Sequence, residues 1–274
     1  GGEAVALELV AATIGAKMFD FFDDHEVGLL LACRKSRIKP LPKISLNIYA
    51  DFRKIGIHVF RRRLIASEIS GLYIEHPIAG HCILVNYDED IYRQRFSASH
   101  EAAHAIFDSS ESASVSYRRG SSNYDGRDLK ELRANRFAAG YLMPPDILPN
   151  IERWDTDMAL HWAQTLKVST EALSYALLDS QRIDQDTAQL IRSVRVPLIE
   201  KVDPEAPDYL NQEQLSRRKQ LLERGLSDDY VALCFEAHHR GLISAGRLGE
   251  ALFADHKETR EISVLYNRRI VDEF

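Results

Sequence analysis

The sequence predicts an α+β protein, mostly helical, with a small antiparallel sheet packed on the helix that carries His100-Glu101-x-x-His104, followed by a helical C-terminal region. Apolar residues recur at helical spacing through most of the chain. β-Branched and aromatic residues concentrate instead in "ASEISGLYIEHPIAGHCILVNYD", on both sides of a break at Pro77 to Gly80. That pattern reads as two antiparallel strands joined by a short loop. Directly after it, Ser97 to Phe107 returns to helical periodicity.

Taken in order, the first stretch, up to "LLLACRKSRIKPLPK", reads as a helix and then an extended linker, because Pro40 and Pro42 forbid continuation. A second amphipathic run, "NIYADFRKIGIHVFRRRL", leads into the hairpin. Ser97 or Ser99 can cap the helix that follows. The Ser-, Gly- and Asp-rich "DSSESASVSYRRGSSNYDGRD" is too polar for core and reads as an exposed loop. A helix from about Asp128 to Met143 is then stopped by Pro144 and Pro145. Beyond it the chain is nearly all helical, interrupted by "VRVPLIEKVDPEAPDY". Four regions result: 1–60, N-terminal and helical; 61–150, the core that holds the His-Glu-x-x-His helix; 151–195, a helical extension resembling a helix-turn-helix; and 196–274, C-terminal and helical.

At 274 residues and 45% hydrophobic, the chain is long enough to bury a real core. Its net charge of -6 argues against coating nucleic acid or anionic membrane by bulk electrostatics. The basic clusters in "CRKSRIKPLPK" and "FRRRL" read as solvated faces or turns. Cys33, Cys82 and Cys234 are too few and too scattered for a disulfide framework or a Cys-x-x-Cys site, so reduced thiols in a cytoplasm are expected. No apolar run approaches the ~20 residues that cross a bilayer, and the opening lacks the basic start of a signal peptide. Gly1-Gly2, with no initiator Met, reads as an expression scar.

The chemistry concentrates in "RFSASHEAAHAIFDSS". Residues four apart share a helical face, so His100 and His104 can offer imidazoles to one ion with Glu101 beside it. The pattern is short and also occurs by chance in unrelated helices. A hydrolytic zinc site needs a third protein ligand and an open position. "LKELRANRFAAGYLMPP" can supply it: Glu131 and Asn135 share a face of a second helix, and Asn135 can bond a ligand imidazole's free N–H. Taken alone, Glu131 is equally an ordinary exposed helix charge.

The ordered set "ILVNYDEDIYRQRFSASHEAAHAIFD", a polar loop, "ELRANRFAAGYLMPPD" and "VSTEALSYALL" resembles the ImmA/IrrE family of HExxH metallopeptidases over Ser67 to Leu178. A weaker echo lies in "YVALCFEAHHRGLISAGRLGEAL". The resemblance implies a Zn2+-dependent endopeptidase of gluzincin type that cuts helix-turn-helix repressors to switch on mobile-element or stress-response genes. It assigns His100 and His104 as metal ligands and Glu101 as general base. Relatives carry a glutamate directly before the "AN" pair or two positions earlier. This chain has Arg133 at the nearer place, so Glu131 is the expected third ligand and Arg133 should point elsewhere. "HEAAH" replaces the commoner "HELGH", and alanine suits a closely packed helix.

In the implied reaction Glu101 takes a proton from the attacking water and returns it to the leaving amine. The oxyanion needs a further donor, and His161, Tyr124 and Tyr141 are candidates that sequence does not rank. Two of them also have a plain reading, His161 as a packed or surface histidine and Tyr141 as core. His76 and His81 flank the hairpin break as turn residues, while His238 and His239 fall on different faces of one helix and read as structural or solvated. "LKVSTEALSYALLDSQRI", with Ser169 as cap, resembles a helix-turn-helix but lacks the Arg, Lys, Asn or Gln that reads bases. The expected partner is therefore a protein substrate, with neither nucleic acid nor membrane bound directly. A catalytically weak metal-binding sensor or interaction regulator of the same fold is the alternative, and a DNA-binding regulator is a third class.

Overall fold

Asn47 turns its side chain onto the Ala50 amide at 3.0 Å and so starts α1 (Ile48–Lys54). The helix stops at Ile55, and Gly56 takes φ 85°, a conformation that costs glycine nothing. Beyond it, Ile57 to Phe60 suits a pleated surface, and β1 (His58–Arg62) forms. The second amphipathic run thus divides into a helix and a strand. The computed structural model describes residues 45, 47–64, 68–108, 113–117, 129–206 and 210–271; the helix and linker expected before Ser45 lie outside them.

Strands β2 (Ile69–His76) and β3 (Gly80–Asn86) are the hairpin expected around Pro77 to Gly80, with Gly80 at φ 73° closing the turn. His76 serves that turn, its Nδ1 accepting from the amides of Ile78 and Ala79. The sheet has four strands in the order β1-β3-β2-β4, and it is mixed rather than antiparallel throughout, because β1 runs parallel to β3. Strand β4 (Ala113–Tyr117) pairs antiparallel with β2 and corrects the expectation of an exposed loop there. Its Ser-rich composition hides a short alternating segment that completes the edge of β2.

Helix α2 (Ile91–Phe107) lies against β2 and β3. Its start also differs from the expected one: Asp90 is the cap, accepting from the Tyr92 amide at 2.9 Å. Ser97 and Ser99 sit inside the helix, where Ser99 Oγ donates to the Arg95 carbonyl one turn back. Polar letters in "DEDIYRQR" concealed a turn of helix whose Gln94 and Arg95 are in fact buried. Twelve of the 17 residues of α2 are buried, so the helix is central rather than amphipathic. Ala98, Ala102 and Ala105 let it approach its neighbours closely.

Helix α3 (Leu129–Leu142) packs along α2. Helices α4 (Thr156–Leu166), α5 (Thr170–Asp179) and α6 (Gln185–Arg192) extend the same core through Ala163, Leu173 and Ile191. Ser169 caps α5 by accepting from the Ala172 amide. A second core, centred on Leu221, Phe235, Leu248 and Ile262, is built by α7 (Gln212–Glu223), α8 (Asp228–His239), α9 (Ala245–Ala251) and α10 (His256–Leu265). His238 is structural there, bridging the Ile243 carbonyl and the Val271 amide.

The two cores meet at β1. The Arg63 amide donates to the Glu223 carbonyl at 2.8 Å, and Phe60 packs on the second core. Arg61, 1% exposed, bonds Asp203 at 2.7 Å, Glu205 at 3.1 Å and Gln94 at 2.7 and 2.9 Å. Its guanidinium also lies 4.6 Å from the centre of the Tyr49 ring. The segment between the cores is thereby tied to α1, β1 and α2. No helix among the described residues is long and apolar enough to cross a membrane.

Candidate metal centre

Helical phase brings His100 and His104 to one face of α2, and the packing of α3 brings Glu131 opposite them. His100 Nε2 and His104 Nε2 are 3.2 Å apart, and the two Glu131 oxygens lie 3.2 Å from the first and 3.3 Å from the second. Among the described residues this is the one cluster of His, Cys or carboxylate groups arranged to hold a metal. The spacing tests the fit. Ligand bonds of ~2.0–2.1 Å set at tetrahedral angles separate their donor atoms by about 3.3 Å, and two imidazoles with one carboxylate leave a fourth position open. The residues present fit such an ion.

Each imidazole is held from behind. His100 Nδ1 lies 3.1 Å from Asn135 Oδ1, and His104 Nδ1 lies 2.9 Å from Asp108 Oδ2. With a proton on each Nδ1 donated outward, each Nε2 turns its lone pair toward the cluster. Asp108 ends α2, its own amide donating to the His104 carbonyl at 2.8 Å. Its other oxygen is gripped by Arg133, which therefore bonds a residue behind the cluster instead of pointing away from it.

Glu101 is fully buried. It faces β2 where Gly71 leaves room: a Cβ there would stand 2.7 Å from Glu101 Oε1 and 2.9 Å from its Cγ. A glycine inside a strand often marks such a close approach, and "ISGLYIEH" carries that signal unnoticed. Asp108 was also legible, because it continues the His100, His104 stripe by four more residues. Gly71→Ala is expected to displace the Glu101 carboxylate, lowering turnover by about 10²-fold while metal content stays that of wild type. Unchanged kcat would show that the glycine is not needed there.

The cluster is electrostatically primed for a cation. Hydrogen bonds from His100 and then His104 hold the Glu131 carboxyl down at about 2. For His104, burial works against the charged ring, but the bonds to Glu131 and Asp108 outweigh it and lift its pKa to about 9. Without metal, the raised His104 value stabilises the fold fully below about 6.5, and this contribution fades as pH rises through about 9. The depressed Glu131 value stabilises above 4.5 and fades as pH falls toward about 2. A metal must displace the His104 proton, so its apparent affinity should fall by about tenfold per pH unit below 9, with one proton released. Competition titrations at pH 6, 7 and 8 check this, and a pH-independent constant would refute it.

Of the other candidates, Tyr141 lies ten residues along α3 from Glu131, about 15 Å away at 1.5 Å per residue, stacked between Phe52 and Phe137. His161 is exposed on α4 with its ring against Trp162. Tyr124 lies outside the described residues. Cys82 and Cys234 are buried, which pushes both thiols up to about 12 and leaves them unreactive.

A sheet-backed helix bearing two histidines and a glutamate, closed by a carboxylate from the next helix, defines a metallopeptidase-type site. Residues 52–178 match the family model Peptidase_M78, the IrrE N-terminal-like domain, so this segment is similar to the ImmA/IrrE family of metallopeptidases. No curated protein matches the chain.

Proposed function

We propose that the chain is a zinc-dependent endopeptidase that cuts a cytoplasmic protein partner, a helix-turn-helix transcriptional repressor, and so relieves repression. The observation that supports this most directly is the 3.2–3.3 Å convergence of His100, His104 and Glu131 beside the buried Glu101. Zinc held by those three residues would polarise a peptide carbonyl and make water a usable nucleophile near neutral pH. Glu101, adjacent to a ligand in sequence, is the proton carrier. It takes a proton from water as the new C–O bond forms and delivers it to the amide nitrogen as the C–N bond breaks. Asn135 keeps His100 oriented. Strand β4, an edge among the described residues, offers backbone groups with which an extended peptide can pair, which suits cleavage within a chain. The repressor as substrate rests on the family resemblance.

The test is incubation of the zinc-loaded protein with repressors encoded by neighbouring genes, followed by mass mapping of fragments. A single cut, arrested by chelator and restored by zinc, is expected. Hydrolysis of an unrelated unfolded protein with every repressor left intact would sink the repressor assignment. Absence of bound metal in the wild type and in His104→Ala alike would sink the metallopeptidase reading itself.

A further inference from the structure

Behind His104 stand two residues to which neither the motif nor the family pattern assigns a task. Asp108 is 6% exposed, and its Oδ2 sits 2.9 Å from the Nδ1 of His104, the nitrogen facing away from the cluster. Its Oδ1 is bonded by the guanidinium of Arg133. Arg133 lies two residues beyond Glu131 on α3, and its guanidinium also rests 5.3 Å from the centre of the Phe107 ring. Both ends of the arrangement are therefore anchored, one on the C-terminal end of α2 and the other on α3.

We propose that Asp108 and Arg133 form a positioning relay for the metal ligand His104: Asp108 fixes the ring's tautomer and rotation, and Arg133 fixes Asp108. This rests on the metallopeptidase reading and deepens it. A ligating imidazole binds best when its outer N–H is held by an acceptor, and a carboxylate is the strongest acceptor available. A carboxylate buried behind the site would by itself add negative charge to the locality. The Arg133 cation balances it, so Asp108 orients the ring without raising the net charge around the ion. The same pair joins α2 to α3, the two helices that carry the ligands, and so couples the spacing of His104 and Glu131 to one hydrogen-bonded bridge. His100 has a neutral counterpart in Asn135. The two histidines are thus held by different chemistry, and His104 is the more firmly fixed.

The relay is tested by measuring the zinc dissociation constant against a chromophoric chelator for wild type, Asp108→Ala, Asp108→Asn, Arg133→Gln and the Asp108→Asn/Arg133→Gln pair. Visible absorption of the cobalt-loaded proteins reports ligand geometry. Asp108→Ala is expected to weaken zinc about 10–100-fold and to alter the cobalt spectrum. Asp108→Asn, of the same shape and still offering an oxygen, should recover part of that loss and remain folded where the alanine variant does not. Arg133→Gln should weaken zinc a few-fold in the wild-type background and have no effect once Asp108 is asparagine. Wild-type affinity and spectrum in both Asp108 variants would overturn the proposal, as would an undiminished Arg133 effect in the double variant. Failure of the wild type to bind zinc at all would instead overturn the metallopeptidase reading on which it stands.

Discussion

Glu101→Gln is expected to keep one metal ion per chain and the wild-type melting temperature while lowering peptide hydrolysis by about 10²–10⁴-fold, the usual worth of a positioned acid–base group. Glutamine nearly matches glutamate in shape, so the fit against Gly71 survives the exchange. What is lost is the capacity to accept a proton. Because Glu101 is a proton carrier and not a ligand, the loss should fall on kcat and leave metal affinity close to that of wild type. Cleavage of a repressor or a generic unfolded substrate, followed by gel and metal analysis on the same samples, separates these quantities. Equal hydrolysis by both proteins would defeat the role assigned to Glu101, and loss of metal with loss of activity would make it a ligand instead.

The second large effect concerns the fold. Arg61→Met should destabilise the protein by about 3–5 kcal/mol, the cost of removing one partner from a buried ion pair. At about 2–4 °C per kcal/mol for a chain of this size, the melting temperature should drop on the order of 10 °C. Methionine fills much of the arginine's volume, so the loss is not chiefly a cavity. It comes from leaving the Asp203 and Glu205 carboxylates buried with less compensation, Glu205 keeping only its 2.5 Å bond to Arg53. Arg61→Lys should rescue little, because an ammonium cannot reproduce the fork that serves Asp203, Glu205 and Gln94 together. Thermal melts of both variants in excess zinc check this. A shift within a degree or two would mean that the network is energetically neutral.

The site and the fold differ in how far they could be read from letters. His100, Glu101 and His104 were legible because helical phase alone puts residues four apart on one side. Glu131 and Asn135 could be seen as an equally spaced pair on a second helix, but spacing left Glu131 equally an exposed charge, and the family resemblance picked it out. The task of Arg133 was not: its distance along the helix from Glu131 says it points away, and only the approach of the end of α2 gives its long side chain a partner. Gly71 was equally silent, because its need for smallness is set by a glutamate from another element. The start of α2 was misplaced because Gln94 and Arg95 look like surface residues until their buried partners are seen. β1 and β4 were missed because a strand's pairing partner is a matter of tertiary arrangement.

By itself the sequence determined the α+β class, the hairpin at Pro77 to Gly80 and the shared helical faces of His100 with His104 and of Glu131 with Asn135, while the roles of Glu101 and Glu131 came from the family resemblance. The tertiary structure alone decided that the sheet is mixed, that Glu101 lies against Gly71, that Asp108 and Arg133 stand behind His104, and that Arg61 ties the segment between the two cores to β1 and α2. The physical reason is range: periodicity fixes which side chains share a face, whereas which faces meet depends on the packing of the whole core.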